Sequence, residues 1–265
     1  MILCLDVGNS NIFGGVFDGD DIKLRFRYSS QPTATSDELG VFLKGVLREN
    51  EIDSHKITQI AVSTVVPYLD YALRAACKKY FHLDPFVLSY NDNLPISILY
   101  DHKQALGSDR IANAIAAVAS FPGEPIIIAS FGTATTLCAI NERAEYLGGA
   151  ILPGFRLSRD SLEAHAAKLP LVEILRPEQR VGHSTESCIQ VGLYYSQLGA
   201  VKEMVMQIKA LFNREPIVIG TGGFSYLFAE EPVFHHLMPD LILEGLRLVA
   251  NYDMNRSSGF EDIVL

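Results

Sequence analysis

Residues 2–11, ILCLDVGNSN, form an apolar segment that runs into a turn of small polar residues around Gly8. A second apolar segment follows at residues 12–17 and ends at the sequence DGD of residues 18–20, which is a strong signal for a tight turn between strands. A third, loosely alternating strand is expected at residues 23–29. The chain is therefore predicted to open with β-hairpins rather than with a helix.

A similar pattern returns about half a chain later. Residues 126–136, IIIASFGTATT, are again an apolar strand, a glycine, a cluster of hydroxyl side chains and a second apolar stretch. Gly8 and Gly132 are 124 residues apart in a chain of 265, which favours an internal duplication, although chance similarity of two short segments is an alternative. The natural boundary is Pro122, which gives domains of residues 1–121 and 122–265.

The rest of the pattern predicts a mixed α/β protein. The first half has the order three strands, a helix, a strand, a helix and a strand, with a capping box at residues 35–38 before the first helix. Further helices are predicted over residues 109–119, 186–212 and 241–251. Ser184 or Thr185 is expected to cap the longest of them, and a buried strand at residue 217 leads into a glycine-rich loop.

Composition excludes several classes of protein. Hydrophobic residues make up 48% of the chain, which is enough for a large core. The net charge of −9 gives no bulk attraction to nucleic acid or to an anionic membrane, so neither is expected as a partner. No apolar run approaches the roughly 18 residues of a membrane span, and the first residues do not resemble a signal peptide. The isolated Cys4, Cys77, Cys138 and Cys188 predict buried thiols in a cytoplasmic protein.

The turn at residues 6–11, DVGNSN, contains the residue types that a phosphate-binding hairpin needs. Backbone N–H groups of such a turn can surround a phosphate chain, while the Asp6 carboxylate holds a hydrated Mg²⁺. An ordinary hairpin turn uses the same residues, so this segment alone leaves both interpretations open. The partial repeat at residues 132–136 favours phosphate binding, because a duplicated fold can direct two such hairpins at one cleft. Neither a P-loop motif nor a GxGxxG motif is present.

Two more segments carry candidate site residues. Residues 107–110, GSDR, stand at the start of the alanine-rich helix, where the helix dipole is expected to favour the ionised form of Asp109. An ionised Asp can serve as general base for a substrate hydroxyl, and a simple helix cap is the alternative interpretation. Residues 221–223, TGG, follow a buried strand and would let a flat ligand such as adenosine approach the backbone, unless they form a plain turn.

Together, these segments resemble the type III pantothenate kinases. The matching blocks are residues 6–11, 63–67, 107–110, 131–136, 148–154, 221–223 and 243–246. The resemblance implies an actin-like ATPase architecture, in which two ribonuclease-H-like α/β domains have a nucleotide cleft between them. It also implies a homodimer that uses ATP to phosphorylate pantothenate to 4'-phosphopantothenate, the first step of coenzyme A biosynthesis.

The resemblance assigns roles by position. Asp109 is implied to be the general base for the pantothenate hydroxyl, and Asp6 to interact with Mg²⁺ through the ATP phosphates. The implied ATP contacts are Asp6, Val7, Gly8, Asn9, Ser10, Asn11, Ile12, Phe13, Thr133 and Gly222. The implied pantothenate contacts are Tyr100, Gly107, Ser108, Asp109, Arg110 and Thr185. The guanidinium of Arg110 offers a planar donor fork suited to the carboxylate of pantothenate.

One position departs from the family pattern. Two residues before the glycine of the second hairpin the family has an Asp that is associated with a monovalent cation, K⁺ or NH₄⁺, and this chain has Ser130. A neutral hydroxyl is a weaker ligand, so weakened cation binding is expected. Ser130 also leaves open a nucleotide-binding regulatory or accessory protein of the same fold with weakened catalysis. A kinase for another small polyol or acid is a third interpretation, which a panel of substrates would separate.

Overall fold

The computed structural model describes residues 1–257 of the chain, with side chains described for residues 1–252. These residues form two compact units, each built from segments that are not continuous in sequence. The first unit contains residues 1–95, 102–116 and 242–257, and the second contains residues 96–101 and 117–241. The expected division into residues 1–121 and 122–265 describes the proposed duplication and stays a prediction. The compact units have other bounds, since the last helix belongs to the first unit.

The sheet of the first unit has five strands. They are β1 (Ile2–Val7), β2 (Asn11–Asp18), β3 (Asp21–Ser29), β4 (Gln59–Thr64) and β5 (Phe86–Val87). Their order across the sheet is β3-β2-β1-β4-β5. β2 is antiparallel to β1 and β3, whereas β4 is parallel to both β1 and β5. The C-terminal ends of β1 and β4 therefore lie side by side, next to the turn that joins β1 to β2.

The sheet of the second unit repeats this arrangement with one added strand. Its strands are β6 (Ser97–Ile98), β7 (Ile126–Phe131), β8 (Ala134–Ile140), β9 (Glu145–Pro153), β10 (Ile217–Thr221) and β11 (His236–Leu237). Their order is β11-β10-β7-β8-β9-β6, with β8 antiparallel to β7 and β9, and β10 parallel to β7 and β11. When β6 is left aside, the order and the directions of the strands are the same as in the first sheet. The predicted α/β fold with a duplicated topology is confirmed.

Helices cover both faces of the first sheet. The helices of the described chain are α1 (Ser36–Glu49), α2 (Pro67–Phe81), α3 (Ser108–Ser120), α4 (Phe155–His165), α5 (Thr185–Lys209) and α6 (Leu241–Ser257). α1 and α2 share one hydrophobic core with Leu3 and Leu5 of β1. The opposite face carries Asp6, and a Cβ added at Gly15 on that face would lie 2.7 Å from Leu243 Cδ1 of α6. Asp6 therefore lies on the face of the sheet that α6 covers, one residue before the end of β1.

The predicted helix caps and ends can be compared with the structure. The capping box before α1 is confirmed, since Thr35 and Glu38 exchange both capping hydrogen bonds. Ser184, rather than Thr185, caps α5. α5 ends at Lys209, three residues earlier than predicted, and α6 extends beyond Asn251. α4 was not predicted, because it follows Gly154 without a side-chain cap and so lacks a start signal in the sequence.

Two expectations drawn from composition have different outcomes. Cys4, Cys77 and Cys138 are buried, but Cys188 on α5 is exposed, so the prediction of four buried thiols is wrong for that residue. Its place on the outer side of a long helix could not be read from isolated spacing. Among the residues that the structure describes, no helix is long and apolar enough to cross a membrane.

Candidate functional site

The first hairpin turn, residues 8–11, is closed by its own backbone. The Gly8 N–H donates to the Asn11 carbonyl at 3.1 Å. The Ser30 hydroxyl donates to the Gly8 carbonyl at 2.6 Å, and the Ser30 N–H donates to the Ser10 carbonyl at 3.1 Å. The turn is thus tied to the residue that follows β3, which holds its shape.

The predicted nucleotide contacts in and beside this turn differ in how far their side chains are exposed. Asn9 is exposed, and Gly8, Ser10 and Asn11 are half-buried. Val7 and Ile12, which flank the turn, belong to the hydrophobic core. Only the backbone atoms of Val7 and Ile12 can therefore serve a ligand.

Four side chains form a row across the first sheet just before this turn. Asp6 pairs with Phe13 on one side and with Ser63 on the other, and Phe13 in turn pairs with Arg27. Directly paired residues on neighbouring strands project to the same face, so all four side chains share one face. The guanidinium carbon of Arg27 lies 4.1 Å from the centroid of the Phe13 ring. A cation, a ring, a carboxylate and a hydroxyl therefore lie side by side.

The environment of Asp6 favours its protonated form. The pKa of Asp6 is raised from 3.8 to about 7, first by burial of the carboxyl and second by the nearby charge of Asp109. A hydrogen bond from Ser63 and the charge of Arg27 act against this rise in pKa. A cation beside Asp6 would therefore relieve an unfavourable burial of negative charge.

Ser108 attaches the start of α3 to the end of β4. Its hydroxyl lies 3.1 Å from the Ser63 hydroxyl, accepts the Thr64 N–H at 3.0 Å and also lies 3.0 Å from the Thr64 carbonyl. Ser63 and Ser108 are 0% and 8% exposed. These bonds leave the Ser108 hydroxyl little capacity for a substrate, so its part in the predicted substrate pocket is mainly to fix the helix.

Asp109 follows in the first turn of α3. Its carboxylate folds back over Gly107, since a Cβ added at Gly107 would lie 2.3 Å from Asp109 Oδ1. Burial raises the pKa of Asp109, whereas its own N–H, the Arg110 N–H and the Arg110 charge oppose that rise. The N–H groups at the start of α3 act toward the ionised form of Asp109, as expected, but burial outweighs them and the pKa lies above its ordinary value. The cost of desolvating the carboxylate exceeds the stabilisation from the helix N-terminus and from Arg110, which is itself only 7% exposed.

The second hairpin turn, between β7 and β8, has a helix N-terminus against it. The Gly132 N–H donates to the Ala134 carbonyl at 3.1 Å. A Cβ added at Gly154, the residue before α4, would lie 2.4 Å from the Thr133 carbonyl oxygen. Free N–H groups at a helix N-terminus favour anions. Thr133 is half-buried and lies in surroundings suited to a phosphate.

Ser130 occupies in the second sheet the position that Asp6 occupies in the first. It pairs with Thr136 on β8 and with Thr221 on β10, so three hydroxyl side chains lie side by side. None of the three carries a charge. The residues present do not fit a monovalent cation held by a carboxylate at this position.

Gly222 is required by the backbone. Its φ of +89° lies in the region that favours glycine, and an added Cβ would lie 2.7 Å from the backbone N and O of Phe131. The loop after β10 therefore passes close to the end of β7. A side chain at residue 222 would block this approach as well as strain the backbone.

Tyr100 and Thr185 belong to the second unit, whereas residues 107–110 belong to the first. The Tyr100 ring meets the Tyr146 ring edge-on at a centroid distance of 6.3 Å and lies against Gly148. Thr185 is the exposed first residue of α5 and lines a cavity of about 940 Å³ between α4 and α5. Tyr100 and Thr185 therefore stay predicted substrate contacts, on a different unit from Asp109.

The carboxylates present fit Mg²⁺ in the form in which it accompanies nucleotides. Mg²⁺ usually keeps several waters and binds to one or two protein carboxylates plus substrate phosphates. Asp6 at the hairpin turn, with Asp109 close enough to act on its pKa, supplies that number. In the part of the chain with described side chains, no three His, Cys, Asp or Glu residues form a metal-binding group. The site therefore suits a metal that arrives with ATP better than a tightly bound structural ion.

Three residues with a place in these surroundings were missed from the sequence. Ser63 could have been found, because it lies one residue before the end of a strand parallel to the one that carries Asp6. Arg27 could not, because its register against Phe13 is set by tertiary pairing. Gln197 on α5 is 6% exposed, accepts from Thr135 Oγ1 and donates to the Pro153 carbonyl, both at 2.7 Å. No local pattern indicates that bridge.

Relatives of known family cover nearly the whole chain. A family model for type III pantothenate kinase matches residues 2–207. The type III pantothenate kinase of Legionella pneumophila (strain Corby) is 56% identical over 252 residues, covering 94% of this chain and 98% of that protein. The type III pantothenate kinase 1 of Francisella tularensis subsp. holarctica (strain OSU18) is 44% identical over 258 residues, covering 97% of this chain and 100% of that protein.

The fold also has solved counterparts. MreB5 of Spiroplasma citri bound to ADP matches with a TM-score of 0.54 and 11% identity, covering 98% of each chain. At this identity the likeness concerns the fold alone, and it confirms the expected actin-like fold. With a family model over more than half of its length and relatives well above 30% identity, the chain belongs to the type III pantothenate kinase family.

Proposed function

We propose that this protein transfers the γ-phosphoryl group of ATP to the hydroxyl of pantothenate, which yields 4'-phosphopantothenate and ADP and begins coenzyme A biosynthesis. The observation that carries the proposal is the pair of interacting carboxylates in the first unit. Asp6 lies at a phosphate-type hairpin turn, and Asp109 lies in the first turn of a helix. Relatives named for this activity are 56% and 44% identical to the chain.

Asp109 is proposed to act as the general base. It accepts the proton of the pantothenate hydroxyl while that oxygen bonds to the γ-phosphorus, and the bond to the β,γ-bridging oxygen breaks to release ADP. A raised pKa makes the Asp109 carboxylate a stronger base than an ordinary Asp, while Arg110 limits the rise. Mg²⁺, which Asp6 would hold together with the phosphates, neutralises charge on the phosphoryl group.

The proposed nucleotide contacts come from both hairpin turns and the loop after β10. Asp6 and the backbone of residues 7–13 would serve the phosphates and their metal. Thr133, beside the N-terminus of α4, and Gly222, which has no side chain, would complete the ATP contacts. The support is the backbone N–H groups of the two turns and the low steric bulk of residue 222.

The proposed pantothenate contacts are Tyr100, Gly107, Arg110 and Thr185 in addition to Asp109, while Ser108 would line the pocket and fix the start of α3. Arg110 carries a permanent charge beside Asp109, which suits an anionic substrate. Gly107 leaves the space into which the Asp109 carboxylate folds. Tyr100 presents a half-buried ring, and Thr185 an exposed hydroxyl.

A requirement for K⁺ or NH₄⁺ is proposed to be weak or missing. The support is the row of neutral hydroxyls formed by Ser130, Thr136 and Thr221, which offers no carboxylate. An activity that does not change when K⁺ is replaced by a large organic cation would agree with this proposal.

A homodimer through α4 and α5 is proposed as the assembly. Leu157 and Leu162 on α4 are 47% and 38% exposed, and Tyr195 and Met206 on α5 are 40% and 56% exposed. Apolar side chains grouped on two adjacent helices favour a partner surface. Light scattering should give about twice the chain mass of 29.2 kDa, and a monomer mass would contradict this assembly.

ADP release that requires both ATP and pantothenate would support the proposed function. Release with another polyol or acid in a substrate panel, but not with pantothenate, would replace the substrate. ATP binding without any turnover would indicate the accessory protein. The family match does not favour that alternative, for which Ser130 is the sole support.

A further inference from the structure

A buried pair of hydroxyl groups connects Asp6 with the beginning of α3. Ser63 on β4 pairs directly with Asp6 on β1, and its hydroxyl hydrogen-bonds the Asp6 carboxylate. The Ser63 hydroxyl also lies 3.1 Å from the hydroxyl of Ser108, the residue before Asp109. The two carboxylates of the site are therefore joined by a continuous path of short contacts.

Proton counting fixes the donor at the Asp6 end of this path. Each hydroxyl has one proton to donate. With Asp6 ionised, Ser63 donates to Asp6. The Ser108 hydroxyl accepts the Thr64 N–H at 3.0 Å, and its one proton has two acceptors within reach, the Thr64 carbonyl at 3.0 Å and the Ser63 hydroxyl at 3.1 Å. Ser108 therefore joins the start of α3 both to Ser63 and to the backbone of β4.

Ser63 and Ser108, which form the middle of this path, are too buried for water to replace their hydrogen bonds. Ser63 is 0% exposed and Ser108 is 8% exposed. Water cannot substitute for the Ser63 hydroxyl without opening the packing, so its removal takes one hydrogen bond from the Asp6 carboxylate. Ser108 would keep its contacts to Thr64, so α3 would be held by fewer contacts and would lose its link to Asp6.

We propose that Ser63 is a positioning residue for phosphoryl transfer, holding the Asp6 carboxylate and, through Ser108, the first turn of α3 that carries Asp109. The inference rests on the proposed function, because the two carboxylates have different tasks in that reaction. Both tasks need fixed distances, and a misplacement of about 1 Å in such a site can cost about 10²-fold in rate.

Ser63→Ala tests the proposal, with Val62→Ala as the matched control. Val62 is the neighbouring residue on β4, is 2% exposed and belongs to the core on the opposite face of the sheet. Ser63→Ala is expected to lower kcat by about 10-fold or more, with the KM values for ATP and pantothenate within about 3-fold of the parent. Val62→Ala should lower the melting temperature through its core cavity and leave kcat near the parent value.

A double variant shows whether the two hydroxyls act as one path. Ser63→Ala combined with Ser108→Ala should lower kcat no more than the stronger single variant, because either change breaks the same connection. Losses that multiply would mean independent roles and would overturn the path. A parental kcat in Ser63→Ala, or an equal loss of kcat in Val62→Ala, would overturn the positioning role.

Amide hydrogen exchange separates this inference from the proposed function. The Arg110 and Ile111 amides both donate to the Gly107 carbonyl in the first turn of α3. They should exchange several-fold faster in Ser63→Ala than in Val62→Ala. If the parent does not phosphorylate pantothenate, the proposed function fails, but this comparison still decides whether Ser63 holds the helix. Equal exchange in both variants would contradict the inference whatever the activity.

Discussion

Asp6 and Ser130 occupy equivalent positions in two sheets of the same strand order. Each lies two residues before the glycine of its hairpin turn, and each is paired on one side with an antiparallel strand and on the other with a parallel strand. The same backbone arrangement thus occurs in both sheets, but only the first sheet has a carboxylate at this position. The two turns therefore differ in the charge that each can offer to a ligand.

Ser130→Asp tests what the missing carboxylate means. If residue 130 lies at a cation position, the charge should lower the K⁺ or NH₄⁺ concentration for half-maximal activity, since Coulomb attraction is stronger in a partly desolvated site. The parent should need more cation or show no response. Titration of K⁺ against the initial rate of both proteins is the measurement. An unchanged K⁺ midpoint would count against a cation role for this position, and Thr136→Ala serves as a control for altered packing of the row.

Asp109→Asn should abolish most phosphoryl transfer and leave ATP binding nearly unchanged. The amide keeps the size of the side chain over Gly107 but cannot accept a proton, and loss of a positioned base costs about 10²- to 10⁴-fold in rate. Steady-state rates at saturating pantothenate, together with calorimetric ATP affinity, make the comparison. Full turnover in the variant would mean that Asp109 is only part of the helix terminus.

Asp6→Ala should act on the metal rather than on the proton. It removes the carboxylate at the first turn, so the Mg²⁺ concentration for half-maximal activity and the dissociation constant of Mg²⁺–ATP should both rise, by about 10-fold or more. Isothermal calorimetry with and without Mg²⁺ measures the second quantity without turnover. A variant with parental values for both would remove Asp6 from the metal site.

Much of the fold could be predicted because its signals are local. The hairpin at residues 18–20, the capping box at Thr35 and the Pro at the start of α2 each act within a few residues of sequence. α4 and the short strands β6 and β11 escaped because they have no cap signal or are only two residues long. Their existence depends on a neighbouring strand or helix that sequence periodicity does not report.

The site was predictable in its residues but not in its electrostatics. Asp6 and Asp109 stand in recognisable motifs, yet the sequence favoured an ionised Asp109, and the structure raises the pKa of both. The reason is that the pKa of a carboxyl depends on how deeply it is buried and on which groups lie beside it, such as Asp109 and Ser63 beside Asp6, which are distant in sequence. The same holds for Arg110, whose burial could not be read from its place on a helix.

Gly222→Ala should destabilise the protein by roughly 2–4 kcal/mol, from a positive φ and from overpacking against Phe131. Gly123→Ala is the matched control, because Gly123 also has a positive φ, of +74°, but nothing lies within 4 Å of its added Cβ. Urea unfolding of both variants isolates the steric part. Equal destabilisation would show that the close approach to Phe131 contributes nothing.

Asp6 should make stability depend on pH in a direction opposite to that of an ion-paired Asp. Its pKa is about 7 in the folded protein and near 3.8 when exposed, so the folded state binds more protons between these values. The free energy of unfolding should therefore fall as pH rises from about 4 to about 7. This difference in pKa corresponds to a loss of at most about 4 kcal/mol from the free energy of unfolding, and the loss is complete only above pH 7.

Asp6→Asn is then expected to be more stable than the parent at pH 8, because the amide never carries the buried charge. The difference should be less than half as large at about pH 5, where the folded parent is already protonated. Asp84→Asn is the control of opposite sign: Arg74 and Lys78 hold the pKa of Asp84 at about 2, so its loss should reduce stability at pH 8. Urea denaturation of the three proteins at both pH values gives the comparison. A gain in stability for Asp6→Asn that is the same at pH 5 and pH 8 would come from packing, and would rule out a pKa near 7 for this carboxyl.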